Sequence, residues 1–347
     1  MDAITIYWVV FIAIFLIVYA IDVSVMSHKK GPVSVKSALK WVGVWVSIAL
    51  LFGISLYFFF PQNEFSEVHT GKVMMTKFIA GYLTEYSLSV DNLFVFILIF
   101  SLMGISTENQ PKLLLLGILI SIILRIVFIL VGMELVERFH WIIYVFGAIL
   151  IFTAYMMAFT KEEENVKPES NILYKVASRL FRVDPDVHEP RFFTKIDGKR
   201  HITNVFLALL VIGSTDILFA VDSIPAIIGV IKEGQANVLT LSEENFIAIT
   251  SNMFAVMGLI SLFFALRGIM GMFRYLKQGV SLILLFIGVK MMITAIPAVA
   301  NFFAVRSWFS LSVIGFILLA SILLSVWTNK REARLEVQRV DPTEKNE

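Results

Sequence analysis

The amino-acid sequence predicts an all-α, polytopic membrane protein with about nine transmembrane helices. Three observations carry that reading. Hydrophobic residues make up 58% of the 347 positions, and mean hydropathy is +0.83. Charged residues make up only 16%, against about 25% in an ordinary globular chain. Nine apolar runs reach the roughly 20 residues that a helix needs to cross a hydrocarbon core of about 30 Å. They fall at about 5–26, 41–60, 74–103, 113–135, 141–159, 204–231, 246–266, 275–296 and 308–327. All six Trp (Trp8, Trp41, Trp45, Trp141, Trp308 and Trp327) lie at the ends of these runs, as an interfacial aromatic belt predicts. A net charge of +2 leaves no basic face for nucleic acid. With no cysteine, disulfides, thiolate metal sites and thiol redox chemistry carried by this chain are excluded.

The first run reads as a span and not as a cleaved leader, because no basic segment precedes it and Lys29 and Lys30 follow it. Residues 1–60 then form two peripheral spans, 74–159 a first three-helix unit and 160–203 a connector. Residues 204–296 form a second three-helix unit, 308–327 a last span and 328–347 a charged tail. Loop charge sets the orientation. With the N-terminus outside, the inner segments carry 22 Lys and Arg and the outer segments five, counting Lys277 and Lys77 at the edges of their runs with the adjoining loops, while Arg125 and Lys290 lie inside spans. Connector and C-terminus are then cytoplasmic, in a plasma (inner) membrane. Within the connector, Ile172, Leu173, Val176 and Leu180 share a helical face opposite Lys175, Arg179 and Arg182. That pattern suits a short helix lying on the leaflet. Asp197-Gly198 predicts a hairpin turn. The tail alternates charges without apolar periodicity and is expected to be a frayed helix or disordered.

Two spans share a motif. Glu85-Tyr86-Ser87-Leu88-Ser89-Val90-Asp91-Asn92 and Asp216-Ile217-Leu218-Phe219-Ala220-Val221-Asp222-Ser223 both place two acids six residues apart, ahead of Asn or Ser. A weaker echo links Gly147-x5-Thr153-Ala154 with Gly288-x5-Thr294-Ala295. Three spans separate each pair, so spans 3–5 and 6–8 are expected to be inverted copies. Such repeats, with a site at mid-membrane, recur in secondary transporters.

The intramembrane charges are the functional candidates. Each charge at the bilayer centre costs at least ~2.5–3.5 kcal/mol, so Glu85, Asp91, Asp216, Asp222, Arg125 and Lys290 must face one another or water. A structural cluster, or carboxylates that are simply protonated, is the plain alternative. Four acids against two bases leave a deficit suited to a divalent cation or exchangeable protons. The donors are hard oxygens, with Asn92, Ser223, Ser87, Ser89 and Asn252 beside them, which favours Mg, Ca or Mn over Zn or Cu. Along one helix a spacing of six means ~9 Å of rise and a turn of ~240°, so two acids of one motif do not grip one ion. With opposed chain directions, Glu85 should lie level with Asp222, and Asp91 with Asp216. Pro225, one turn after Asp222, removes a backbone hydrogen bond and serves as a candidate hinge. Asp22 reads as interfacial, the five His as surface residues, and the 14 Met mostly as packing, with Met253 or Met257 as candidate thioethers near Asn252. The Gly-x-Gly-Asp of intramembrane aspartyl proteases and the HExxH of metalloproteases are both absent.

The segments Glu85–Phe96 and Ser214–Ala226 resemble the two signature segments of the TerC family, and the length and polar connector resemble its Alx-like branch. The resemblance covers essentially the whole membrane region. It implies an exporter of Mn²⁺, with Glu85, Asp91, Asp216 and Asp222 matching the family's intramembrane acids. The family was named for tellurium resistance, and Alx has been described as a redox modulator. Many members carry a further acid three positions before Asp216, where this chain has Gly213. Three functions are therefore weighed: export of manganese or a related divalent cation, with or without exchange for protons; transport of another small ion; and a non-transport redox or envelope-stress role. Neither a resident cofactor nor an enzymatic reaction is expected. The partners are the ion, protons and the lipid bilayer.

Overall fold

The computed structural model describes residues 3–28, 35–64, 66–107, 109–159, 171–181, 183–184, 191–196, 199–232, 238–268, 275–293, 296 and 307–340. Five long helices come first: α1 (Ala3–His28), α2 (Val35–Phe59), α3 (Thr70–Leu102), α4 (Gln110–Arg138) and α5 (Ile142–Phe159). The connector holds α6 (Ile172–Leu180) and three short strands, β1 (Val183–Asp184), β2 (Phe193–Ile196) and β3 (Lys199–Thr203). Then follow α7 (Asn204–Ile231), α8 (Leu241–Met257), α9 (Leu259–Gly268), α10 (Leu276–Ile293) and α11 (Ser307–Val340). Among the described residues six helices are long and apolar enough to cross a membrane, namely α1 to α5 and α11, and the α8–α9 pair makes a seventh if counted as one span.

Local signals start the helices where packing needs them. His69 caps α3 by accepting the Lys72 N–H, and its ring stacks on Tyr57, so this histidine has a structural task. Pro111 opens α4, where a missing N–H costs nothing. Thr240 and Glu243 form a reciprocal capping box on α8. After α3 the chain turns through Gly104 at φ 63°, a left-handed conformation that glycine adopts without strain.

α3 lies at the centre, packed by α2, α7, α8, α9, α10 and α11. α5 and α10 make the most extensive helix pair among the described residues, while α3 packs on α8 and α4 on α7. α1 rests on α8 through an aromatic cluster in which Trp8 meets Phe246 edge-on at 4.9 Å, and Phe11 meets Phe254 at 5.6 Å. Large apolar side chains point away from the protein along α1, α2, α5 and α11, including Leu16, Phe58, Phe152 and Phe316. Contiguous apolar exposure of this kind is what lipid covers.

Polar contacts gather at the two ends of the bundle. At the end away from the connector, the Lys232 ammonium lies 2.8 Å from Glu137 of α4 and 2.7 Å from Glu244 of α8. Partial burial works against its charge, but the hydrogen bonds to Glu137 and Glu244 outweigh it and hold the Lys232 pKa above its ordinary value. Asn63 donates to Glu243 (3.0 Å) and to the Val238 carbonyl (3.1 Å), tying the α2–α3 and α7–α8 links together. At the connector end, Arg267 donates to Gln110 (2.8 Å) and to Thr107 (3.1 Å).

Four expectations are corrected or refined. The chain is mostly helical, but the connector adds a small sheet of order β1-β3-β2, with β1 parallel and β2 antiparallel to β3. Ile196 pairs with Lys199, which is the register of a two-residue hairpin, although Asp197 and Gly198 themselves lie outside the described residues. The run 246–266 is two helices bent by 40° at Gly258. Trp45 is buried rather than interfacial, because α2 begins at Val35 and carries it inward, where it stacks on Trp41. Lys77 is no loop residue; it is buried within α3 and donates to the Ile231 carbonyl at the end of α7. The tail from Thr328 continues α11 as helix through Val340, the helical one of the two outcomes expected for it.

In the connector, Tyr174 and Ala177 of α6 join Ile202 and Leu207 in a small core against α7. Leu173, Val176 and Leu180 stay exposed, as a helix resting on a leaflet requires. The side chains of Ile172 and Arg182, also expected on those faces, lie outside the described residues.

Candidate functional site: a buried charged centre between α3, α4, α7 and α8

Two close approaches create the centre. A side chain at Gly81 of α3 would meet the Ser251 hydroxyl of α8 at 2.7 Å, so only glycine lets these helices come so near. One turn further on, this contact brings Asn252 against Glu85. On the other side, a side chain at Gly117 of α4 would meet Ile212 of α7 at 2.8 Å. One turn further on, Ser121 comes against Asp216, and the two are hydrogen-bonded.

Glu85 is fully buried and receives three donors. Asn252 Nδ2 donates to Oε2 at 2.9 Å, Ser89 Oγ to Oε1 at 3.1 Å, and Arg125 Nη1 to Oε1 in an ion pair. Arg125 also donates through Nε to Ser121 Oγ at 3.0 Å and acts electrostatically on Asp216. One acid from each signature segment therefore converges on one arginine, in an interior where both acids and the arginine are buried. Taking charges out of water is costly unless they are paired and hydrogen-bonded. Glu85 and Arg125 meet that need through their ion pair, while Asp216 has Ser121 and the charge of Arg125.

The remaining candidates divide. Asn92 is buried on α3, and Ser87 and Ser223 are buried with no hydrogen-bond partner for their hydroxyls among the described residues. Pro225 is buried within α7, which continues as helix on both sides of it. Lys290 is buried on α10, reaches Ser310 of α11 at 3.4 Å and lies 5.8 Å from the centre of the Phe286 ring. The side chains of Asp91, Asp222 and Asp22 lie outside the described residues, so the four-acid grouping falls partly outside them. Among the described residues no three His, Asp or Glu gather at metal-binding distance. Met253 and Met257 are buried in the apolar core. At Gly213 a Cβ would meet nothing within 4 Å, so packing does not require glycine there.

Ser121 went unnoticed in the sequence, although it stands one turn before Arg125 on the same face of α4. Reading i, i+4 partners of every intramembrane charge would have found it. Lys77 was missed because it sits near the edge of an apolar run.

Fold and site define a polytopic helical membrane protein with a charged centre buried among its helices. The model described as "Integral membrane protein TerC family" matches residues 70–333, and the chain belongs to that family. The match begins at the first residue of α3 and leaves α1 and α2 outside it. An uncharacterized membrane protein of Myxococcus xanthus is 40% identical over 319 residues, covering 92% of this chain and 91% of its own length. Proteins named as proposed membrane-bound redox modulators, Alx, are also similar. The one from Photorhabdus laumondii is 35% identical over 327 residues (94% and 96% of the two chains). The one from Escherichia coli K12 is 33% identical over 325 residues (93% and 95%). No solved structure matches.

Proposed function

We propose that the protein exports manganese, or a related divalent cation, through the buried centre by alternating access and without a covalent step. The observation that carries this reading is the convergence of Glu85 and Asp216, one from each signature segment, on Arg125 inside the membrane region. Asn252, Ser89 and Ser121 add hard oxygens to it, the chemistry that suits Mn²⁺. An oxyanion would need a net positive site. The redox modulation in the relatives' name has no thiol to act through in a chain without cysteine, and would follow from the metal moved. The test is cellular manganese content and Mn²⁺ tolerance with and without the protein. Unchanged content and tolerance would end the exporter reading.

The same reading adds α7 and α10 to the spans, giving nine with α8–α9 as one broken span, in a plasma membrane with the N-terminus outside. A cysteine placed at Gly198 is then expected to react with membrane-impermeant thiol reagents only after the cells are opened. Labelling in intact cells would reverse the topology.

Inverted repeats explain the packing: exchanging α3–α5 with α7–α10 turns the α3–α8 contact into the α7–α4 contact. The Lys77–Ile231 contact brings those two residues to one level, and with α3 and α7 antiparallel, as the repeat requires, the depth of the acids can be counted from it. Glu85 lies eight residues in from Lys77, and Asp222 nine in from Ile231, or ~12–14 Å at ~1.5 Å per residue. Asp91 and Asp216 lie fourteen and fifteen residues in, ~21–23 Å. Arg125 then reaches between two tiers. Paired cysteines at 85–222 and 91–216 are expected to be bridged by Cd²⁺ well, and those at 85–216 and 91–222 poorly. The reverse ranking would show the helix register to be wrong.

A further inference from the structure

We propose that Arg125 is a tethered stand-in for the transported cation: it holds the Glu85 carboxylate between transport events, and a divalent ion enters by displacing it onto Asp216. This rests on the exporter reading and adds the competitor and a further ligand to that site.

The geometry points to exchange rather than to joint occupancy. Glu85 Oε1 already accepts Arg125 Nη1 and Ser89 Oγ, and Oε2 accepts Asn252 Nδ2. Three of a carboxylate's roughly four lone-pair sites are thus taken, and an ion with oxygen ligands at ~2–2.6 Å competes for the same two oxygens. A guanidinium and a divalent cation sharing one carboxylate would stand within a few ångströms, where buried like charges repel strongly. One must yield, and Arg125 has somewhere to go. Its Nε is anchored to Ser121 Oγ, 3.0 Å away and one turn earlier on α4, while the same Ser121 is hydrogen-bonded to Asp216. The guanidinium has five donors in a planar fork, so it can release Glu85, keep Ser121 and turn to Asp216.

Asn252 supplies the second, independent observation. A carboxylate paired with arginine only accepts hydrogen bonds, which fixes Nδ2 toward Glu85 and turns Oδ1 away. That oxygen is fully buried and has no hydrogen-bond partner among the described residues. A neutral hard-oxygen acceptor held beside a carboxylate is the ligand a cation would find once Arg125 withdraws. Removing a fixed competitor tightens binding and removes the charge that expels the ion afterwards.

The experiment is equilibrium binding of Mn²⁺ to the purified full chain, paired with efflux in vesicles. Wild-type protein is expected to bind, Arg125→Gln to bind at least tenfold more tightly, and its efflux to fall below wild type. Ser121→Ala, which loosens the tether and frees Asp216, is expected to bind about threefold more tightly and covers the case in which Arg125→Gln does not fold. Asn252→Leu is expected to bind about tenfold more weakly. Unchanged or weaker binding in folded Arg125→Gln, or in Ser121→Ala where that variant alone folds, overturns the stand-in, and unchanged binding in Asn252→Leu overturns the ligand. No binding by wild type overturns the exporter reading instead.

Discussion

Glu85→Gln and Asp216→Asn are each expected to reduce Mn²⁺ efflux from everted vesicles to the background of vesicles without the protein. Asp91→Asn and Asp222→Asn, the matching positions of the two motifs, are expected to do the same. Each exchange nearly preserves volume and removes one unit of negative charge from the membrane interior, where no water replaces a lost ligand. Removing one partner of a buried ion pair costs about 3–5 kcal/mol when the other charge is stranded. Glu85→Gln does not strand Arg125 completely, because Asp216 remains within its reach through Ser121. Membrane insertion should therefore survive, and efflux must be expressed per amount of protein in the vesicles. Wild-type efflux from any one variant would remove that acid from the transport path. Efflux lost together with the protein itself would mark the acid as part of the scaffold.

Helix positions were legible in the sequence because bilayer thickness imposes a length on apolar runs, and that constraint does not depend on tertiary contacts. What depended on contacts was not. The break at Gly258 leaves no mark in hydropathy, since both halves are apolar. Trp45 sits where a belt tryptophan would, and only the start of α2 at Val35 places it in the core. The hairpin was readable from Asp197-Gly198, but β1 returning to pair with β3 is a long-range contact that no local signal announces. At the site, residue type and mid-span position singled out Glu85, Asp216 and Arg125. Which acid meets which cation depends on helix rotation about the axis, which a run of apolar residues does not encode. Asn252 was noticed only as one oxygen among several. Its special position comes from Gly81 and Ser251, small residues that bring two helices together.

The second large effect is expected at Gly288. The sequence links Gly147 and Gly288 only as weak echoes of each other, and in the structure they touch. A side chain at Gly288 would meet the Gly147 carbonyl oxygen at 2.8 Å, Ile151 at 2.9 Å and Leu150 Cβ at 3.0 Å. A side chain at Gly147 would meet the Gly288 carbonyl oxygen at 3.0 Å and Met291 at 3.2 Å. Each glycine lies against the other's backbone, as two equivalent positions must where a twofold axis passes between them. In the proposed inverted repeat, α5 and α10 cross on that axis. The obstacle at Gly288 is backbone and Cβ, which do not rotate away, so a methyl group there forces the helices apart. Overpacking of this kind costs about 1–3 kcal/mol. Gly288→Ala should lower the unfolding midpoint of the detergent-solubilised protein most, and Gly147→Ala less. Gly315→Ala should equal or slightly exceed wild type, because nothing lies within 4 Å of a Cβ there and alanine favours helix over glycine. The double variant should cost less than the two single costs combined, since one separation of the helices relieves both contacts. Equal midpoints for all three single variants would mean that α5 and α10 do not cross at these glycines, and the repeat would lose its axis.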